Sequence, residues 1–150
     1  MTTFASPQEL AGSVGSHLGY SDWLEITQER IDAFAEATDD HQWIHVDPEQ
    51  ARTGPFGTTI AHGYLTLSLA VPFVSEILSV GGVSMGVNFG TNRVRFVSPV
   101  PVGAKLRAGG TLAAVEDVPG GYQVSLDLTF EIQGSEKPAC VAQVLYRFYV

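Results

Sequence analysis

At 150 residues, 45% hydrophobic and 16% charged, the chain is long enough to bury one core and short for two, so residues 1–150 are read as a single domain. One cysteine, Cys140, excludes an intrachain disulfide, and a net charge of −8 argues against a surface built to hold phosphate backbones. The N-terminal residues lack the basic and apolar regions of a signal peptide, so a cytoplasmic location is the expectation.

Phe4, Leu10 and Val14 are roughly helically spaced and predict a short N-terminal helix. Residues 20–26 read as a strand. Thr27 then makes a good N-cap, although Arg30 stands where a capping box would place Glu or Gln. Ile31, Phe34, Ala35 and Thr38 give one apolar face to a helix over residues 28–37. Residues 39–57 are polar and broken by Pro48, Gly54, Pro55 and Gly57, which predicts loop.

A second helix is expected over residues 61–78, about 27 Å long at 1.5 Å per residue. It is apolar nearly all round, so something must wrap it. Its stretch carries His62, Ser68, Pro72 and Glu76 and reads as a buried helix, not a membrane span. Pro72 should kink it and free the carbonyl of Ser68.

The remainder alternates as strands. Val83, Met85, Val87 and Phe89 alternate, and Val94 and Phe96 continue on the opposite parity, which predicts a slip near Gly90. Val102 to Ala108, Tyr122 to Ile132 and Cys140 to Phe148 supply three more alternating runs. Pro119-Gly120-Gly121 and Gly134-Ser135 are turn sequences, so these three should form an antiparallel meander. A buried helix with a one-faced antiparallel sheet curled around it is an α+β answer, the hot-dog arrangement.

Reactive side chains are densest between Thr38 and Asp47. A carboxylate and an imidazole on one water can supply acid–base chemistry, and Asp40 and His45 are the candidate pair. Five residues apart, they would sit on different faces of one helix, so a loop must turn both inward. The same residue types also serve as helix caps and solvated loop positions. If the long helix starts near Ala61-His62-Gly63, its first amides lack partners, and the Gly63 N–H is the candidate oxyanion donor. Gly63 equally permits close packing of helix on sheet. His62 is carried with Gly63 among the oxyanion and substrate-binding candidates, although from residue type alone it orients a loop or fills the core. No metal or cofactor is called for: HExxH, Cys-rich, P-loop and GxSxG patterns are absent.

Residues Asp40-His41-Gln42-Trp43-Ile44-His45-Val46-Asp47-Pro48, followed by Gly54 to Gly63, resemble the MaoC-like hydratases, and in particular the branch with NodN-like proteins. The Arg93-to-Val100 strand also fits, so the resemblance spans nearly the whole chain. It implies a hot-dog homodimer that hydrates trans-2-enoyl-CoA to (R)-3-hydroxyacyl-CoA, with Asp40 and His45 as catalytic pair and Gly63 as backbone oxyanion donor. It also implies an acyl tunnel and CoA groove near the subunit interface.

Two departures stand out. The family's Asn-Pro between the catalytic residues is Gln42-Trp43, placing both among the substrate-binding candidates, with Trp43 expected to reshape the acyl pocket. Val71 stands where some (R)-hydratases place a serine that holds the aspartate, which leaves Ser68 as a conceivable substitute. Arg93, Arg95 and Lys105, from a locally basic stretch, are the candidates for CoA phosphates. The competing readings are a hot-dog acyl-CoA thioesterase and a non-catalytic acyl-CoA-binding dimer.

Overall fold

The computed structural model describes residues 1–150. The N-terminal segment forms a strand, β1 (Thr2–Phe4), and a single-turn helix, α1 (Pro7–Ala11), so the expected helix is shorter than its spacing implied. Ser6 starts α1 by accepting from the Glu9 N–H, and Pro7 sits in its first turn.

The strand read over residues 20–26 is split into β2 (His17–Tyr20) and β3 (Leu24–Glu25). Ser21 makes the bend. Its N–H donates to the Ala108 carbonyl, and its hydroxyl accepts from the Ala108 N–H at 2.9 Å. Helix α2 (Gln28–Thr38) follows with Thr27 as its cap, the hydroxyl accepting from the Arg30 N–H at 3.2 Å.

Two short helices, α3 (Trp43–Val46) and α4 (Pro48–Arg52), occupy part of the segment read as loop. They are too short for periodicity to show. The Asp47-Pro48 pair did carry a signal, a cap followed by proline in the first turn, and Asp47 accepts from the Gln50 N–H at 3.0 Å.

The long apolar helix is interrupted at Leu69, giving α5 (Gly63–Ser68) and α6 (Ala70–Ile77). Proline at 72 offers no N–H to the Ser68 carbonyl, and Ser68 is where α5 ends. The chain then enters β4 (Leu78–Val80), which pairs in parallel with β1, and the long strands β5 (Met85–Phe96), β6 (Lys105–Val118), β7 (Gly121–Ile132) and β8 (Cys140–Tyr149).

The main sheet runs β2-β6-β7-β8-β5, with β3 beside β6, and the meander β6-β7-β8 is antiparallel throughout. Gly120 and Gly134, both with φ of +81°, make its two turns, a conformation that favours glycine. Alternate residues of the meander, among them Leu106, Leu112, Leu126, Leu128, Phe130 and Val144, are buried against Leu65, Leu69, Phe73 and Ile77 of the helices. Phe73 and Phe130 meet with ring centres 6.2 Å apart. Burying such side chains contributes about 1.5–3 kcal/mol each.

The wrapping is incomplete. Tyr64 and Val71 are exposed, 71% and 46%, on the helix flank nearest β5. Strand β5 differs from its neighbours as well. Its pairing with β8 slips between Asn88 and Gly90, as expected, and again between Thr91 and Arg93. The second slip adds to the first and restores the original facing. Val87, opposite Arg147, therefore stays on the outer face while Val94 and Phe96 reach the inner one. Met85, Val87 and Phe89 are left as exposed apolar residues on a sheet edge.

Candidate active site

Helix α2 delivers the first candidate. It stops because Asp39 takes a left-handed conformation with φ of 59°, the only non-glycine residue with positive φ. Asparagine and aspartate tolerate this region better than other side chains. The turn sends Asp40 back across the end of the helix, and the chain re-forms as α3 with His45 on its last turn. This reversal brings together two residues that one helix would have separated.

Three contacts fix His45. The Ile60 N–H donates to the Ile44 carbonyl at 3.0 Å, and His45 Nδ1 donates in turn to the Ile60 carbonyl at 2.7 Å. Gln28 of α2 donates its amide to the His45 carbonyl at 2.7 Å and accepts from the buried Thr59 hydroxyl at 2.6 Å. Gln28 and Thr59 are supports that sequence reasoning passed over, because neither sits in a chemical motif.

A carbonyl can only accept, so Nδ1 carries the proton and Nε2 keeps its lone pair. His45 is buried, and that burial lowers its pKa below 6.5. The Ile60 carbonyl opposes the shift, the neighbouring His62 reinforces it, and Asp40 weakly opposes it. The result favours a neutral imidazole near neutrality.

His62 lies face to face with His45, ring centres 3.8 Å apart and planes 24° from parallel. Its Nε2 donates to the Asp40 main-chain carbonyl at 2.9 Å and lies 4.0 Å from the Asp40 carboxylate. Asp40, His45 and His62 therefore present one donor atom each, all within 4.8 Å of one another. Such a triad has the residue types of a metal site. Its geometry does not fit one: lone pairs lie in the ring planes, and near-parallel rings point them alongside each other instead of at one ion. The Asp40 side chain is half exposed and the two histidines are buried, so the pair opens to solvent from the Asp40 side.

Facing His45 is a cavity of about 300 Å³ lined by Gly63, Thr66, Phe56 and Phe96 together with the segment Val97 to Val100. The Ala61 N–H donates to the Val100 carbonyl and the Val102 N–H to the Thr59 carbonyl, which fixes that segment against the start of α5. Inside α5 the first amide bonded along the chain is that of Thr66, to the His62 carbonyl, so the Gly63 amide has no partner within the helix. A Cβ at Gly63 would come within 2.9 Å of the Phe96 ring. The close approach of the Phe96 ring accounts for a glycine at this position, and Gly63 is also one of the residues lining the cavity.

The remaining candidates are placed as follows. Gln42 is exposed and caps α3 without a side-chain hydrogen bond. The Trp43 indole covers Gly54, where a Cβ would meet it at 2.8 Å, and it does not line the cavity beside His45. Ser68 donates to the Leu65 carbonyl at 2.8 Å within its own helix, so its hydroxyl does not hold Asp40. Arg93 and Arg95 flank a groove of about 530 Å³ with Asp127 and Thr129 on the outer sheet face. Lys105 belongs to β6, three strands away from β5, a lateral gap of about 14 Å at 4.8 Å per strand. One chain does not gather all three cations at a single site. Glu76, the carboxylate a thioesterase reading would use, accepts from the Asp22 N–H at 2.8 Å. It lies about 20 Å along the helix from Gly63 at 1.5 Å per residue.

Comparison with known proteins places this geometry in context. Residues 9–127 match the MaoC like domain family. The chain is 51% identical over 149 residues to the 3-hydroxyacyl-thioester dehydratase Z of Mycobacterium tuberculosis (strain ATCC 25618 / H37Rv), covering 99% of both chains. It is 42% identical over 138 residues to Nodulation protein N of Rhizobium leguminosarum bv. viciae, covering 89% of this chain and 85% of that one. Among solved structures, an R-hydratase from Pseudomonas aeruginosa in the unliganded form superposes with a TM-score of 0.77 at 23% identity. That match covers 97% of this chain and 86% of the other and speaks to the fold, the hot dog expected from the sequence pattern. No helix is long and apolar enough to cross a membrane.

Proposed function

The chain belongs to the MaoC-like dehydratase family, and from that premise we propose that it is an (R)-specific enoyl-CoA hydratase, adding water reversibly to trans-2-enoyl-CoA. The observation that carries this reading is that Asp40 and His45 bring ligand atoms within 4.8 Å of each other while His45, though not Asp40, lines the cavity that Gly63 also lines. The 3-hydroxyacyl-thioester named for the mycobacterial relative supports the substrate class.

In the proposed step one water is held between the Asp40 carboxylate and His45 Nε2. As the water oxygen bonds to C3 of the enoyl group, Nε2 takes its proton, because Nδ1–H is already committed to the Ile60 carbonyl. The C2–C3 π electrons move toward the thioester, and the oxygen that gathers the charge rests on the Gly63 N–H. The proton held on Nε2 is relayed to the Asp40 carboxylate and from there to C2, leaving both side chains as they began. Delivery of oxygen and proton from the same side is syn addition; the (R) configuration at C3 further requires that one particular face of the double bond meet the water.

The working unit in this proposal is a homodimer. Strand β5 is an unpaired edge of 12 residues, exposed along nearly its whole length and carrying Met85, Val87, Phe89 and Phe96. Exposed apolar edges of this length invite pairing with a second copy. Phe96 belongs both to this edge and to the cavity wall, so a partner seated there would help enclose the acyl chain. Arg93 and Arg95 lie on the same strand as candidates for CoA phosphates, and a second copy would have to supply any nearby Lys105. Cytoplasmic location remains part of the proposal.

The experiment follows loss of enoyl absorbance with short and medium trans-2-enoyl-CoAs, comparing wild type with Asp40→Asn and resolving product chirality. A fall of about 10²–10⁴-fold in the variant is expected for a lost general acid–base group. Equal rates would remove Asp40 from the mechanism, and an (S) product would reject the (R) assignment. Release of free thiol without hydration would favour a thioesterase. Tight enoyl-CoA binding with no turnover would leave a binding module.

A further inference from the structure

His62 touches each part of the proposed machinery: it donates to the Asp40 carbonyl, stacks on the His45 ring, and immediately precedes Gly63 at the start of α5. It is 2% exposed, and its other nitrogen, Nδ1, has no hydrogen-bond partner. A phenylalanine ring would fill the same space between His45 and Phe34 without burying an unpartnered acceptor. What the imidazole adds is the Nε2–H.

We infer that His62 is the positioning residue of the dyad: its Nε2–H holds the main chain at Asp40 while its ring face sets the plane of His45. This rests on the hydratase reading of the site. The need for such a hold is visible in the surroundings. The Asp40 side chain itself accepts only one long bond, 3.4 Å, from the Gln42 N–H, so its placement depends on how firmly its main chain is held. Ser68 is engaged within its own helix, and Val71 has no polar group to offer. Asp40 follows a left-handed residue at a helix end and precedes an exposed stretch, so without the His62 bond its segment is tethered by little. The loss of a group that fixes reacting geometry without touching substrate falls on kcat, and a misplacement of about 1 Å can cost on the order of 10²-fold.

Two variants separate the bond from the ring. His62→Phe keeps a stacking face and removes the donor. His62→Gln removes the face and keeps an amide N–H near the position of Nε2. With crotonyl-CoA as substrate, His62→Phe should lower kcat by about 10²-fold with KM within about twofold, and His62→Gln should recover to within about tenfold of wild type. NMR backbone order parameters over residues 39–42, measured on the same proteins without substrate, should fall in His62→Phe and much less in His62→Gln.

Wild-type kcat in His62→Phe, or unchanged order parameters over residues 39–42, would overturn the inference. So would equal damage in both variants that simply follows their loss of melting temperature. A wild-type protein that hydrates no enoyl-CoA would instead sink the functional reading, and the order parameters would still decide whether His62 holds Asp40.

Discussion

The meander with its covering helices and the segment between Asp39 and Gly63 are built on different principles. The first is held by pattern: alternate apolar residues on β6, β7 and β8 meet one helix face, and many small contributions add. The second is held by individual bonds, Nδ1 of His45 on the Ile60 carbonyl, Gln28 on His45 and Thr59, and His62 on Asp40. Damage to the first should cost stability in proportion to volume removed. Damage to the second should cost rate, because it moves a few atoms whose placement is the chemistry.

The sharpest way to break this contrast is His45→Gln. If the segment exists for catalysis, hydration should fall by about 10²–10⁴-fold while the urea midpoint changes little. A variant that unfolds without first losing activity would show that His45 serves the core instead. Phe130→Ala is the reciprocal test. A fully buried aromatic ring packed on Phe73 should cost about 3–5 kcal/mol of unfolding free energy, measured by urea denaturation. Activity per folded molecule should survive. If kcat falls with it, scaffold and site are more tightly coupled than their bonding implies.

A smaller effect tests the hinge between the regions. Asp39→Val places a β-branched side chain at φ of 59° and should cost about 1–2 kcal/mol, whereas Asp39→Gly should be close to neutral. Equal thermal stability of the two would mean that the left-handed turn is not what terminates α2. The smallest effect is pH dependence. Burial lowers the His45 pKa, so the unfolded chain binds the proton more readily than the folded one. Its contribution to stability is at full value above 6.5 and declines as pH falls below that point, levelling once the folded pKa is passed. The acid limb of kcat/KM should accordingly have its midpoint below 6.5 in wild type. A midpoint above it would contradict a desolvated His45 as base.

Much of the scaffold was legible because repetition carries it. Alternation from Tyr122 to Ile132, the glycine turns and the apolar run beginning near His62 each repeat a signal over many residues. Even the interruption of the helix at Leu69 could be read from Pro72, and the slip near Gly90 from a change of parity. What escaped was the second slip, between Thr91 and Arg93, which adds to the first, restores the original facing and leaves Met85 and Val87 pointing out. Helices α3 and α4 escaped because four or five residues establish no period. The split between β2 and β3 escaped because it depends on Ser21 meeting Ala108, residues far apart in the chain.

Asp40, His45 and Gly63 could be singled out as candidates from residue type, with their roles taken from the family resemblance, but the residues that support them could not. Gln28, Thr59 and the role of the His62 ring became visible only when the chain closed, since each acts across a gap of many residues. Sequence alone determined which groups are available and the order of helix and strands, because side-chain type and hydrophobic period are local properties. Tertiary structure decided which nitrogen of His45 is free, which residue restrains Asp40, and which strand edge is left open. Hydrogen-bond partners and burial are set by residues that meet only after folding.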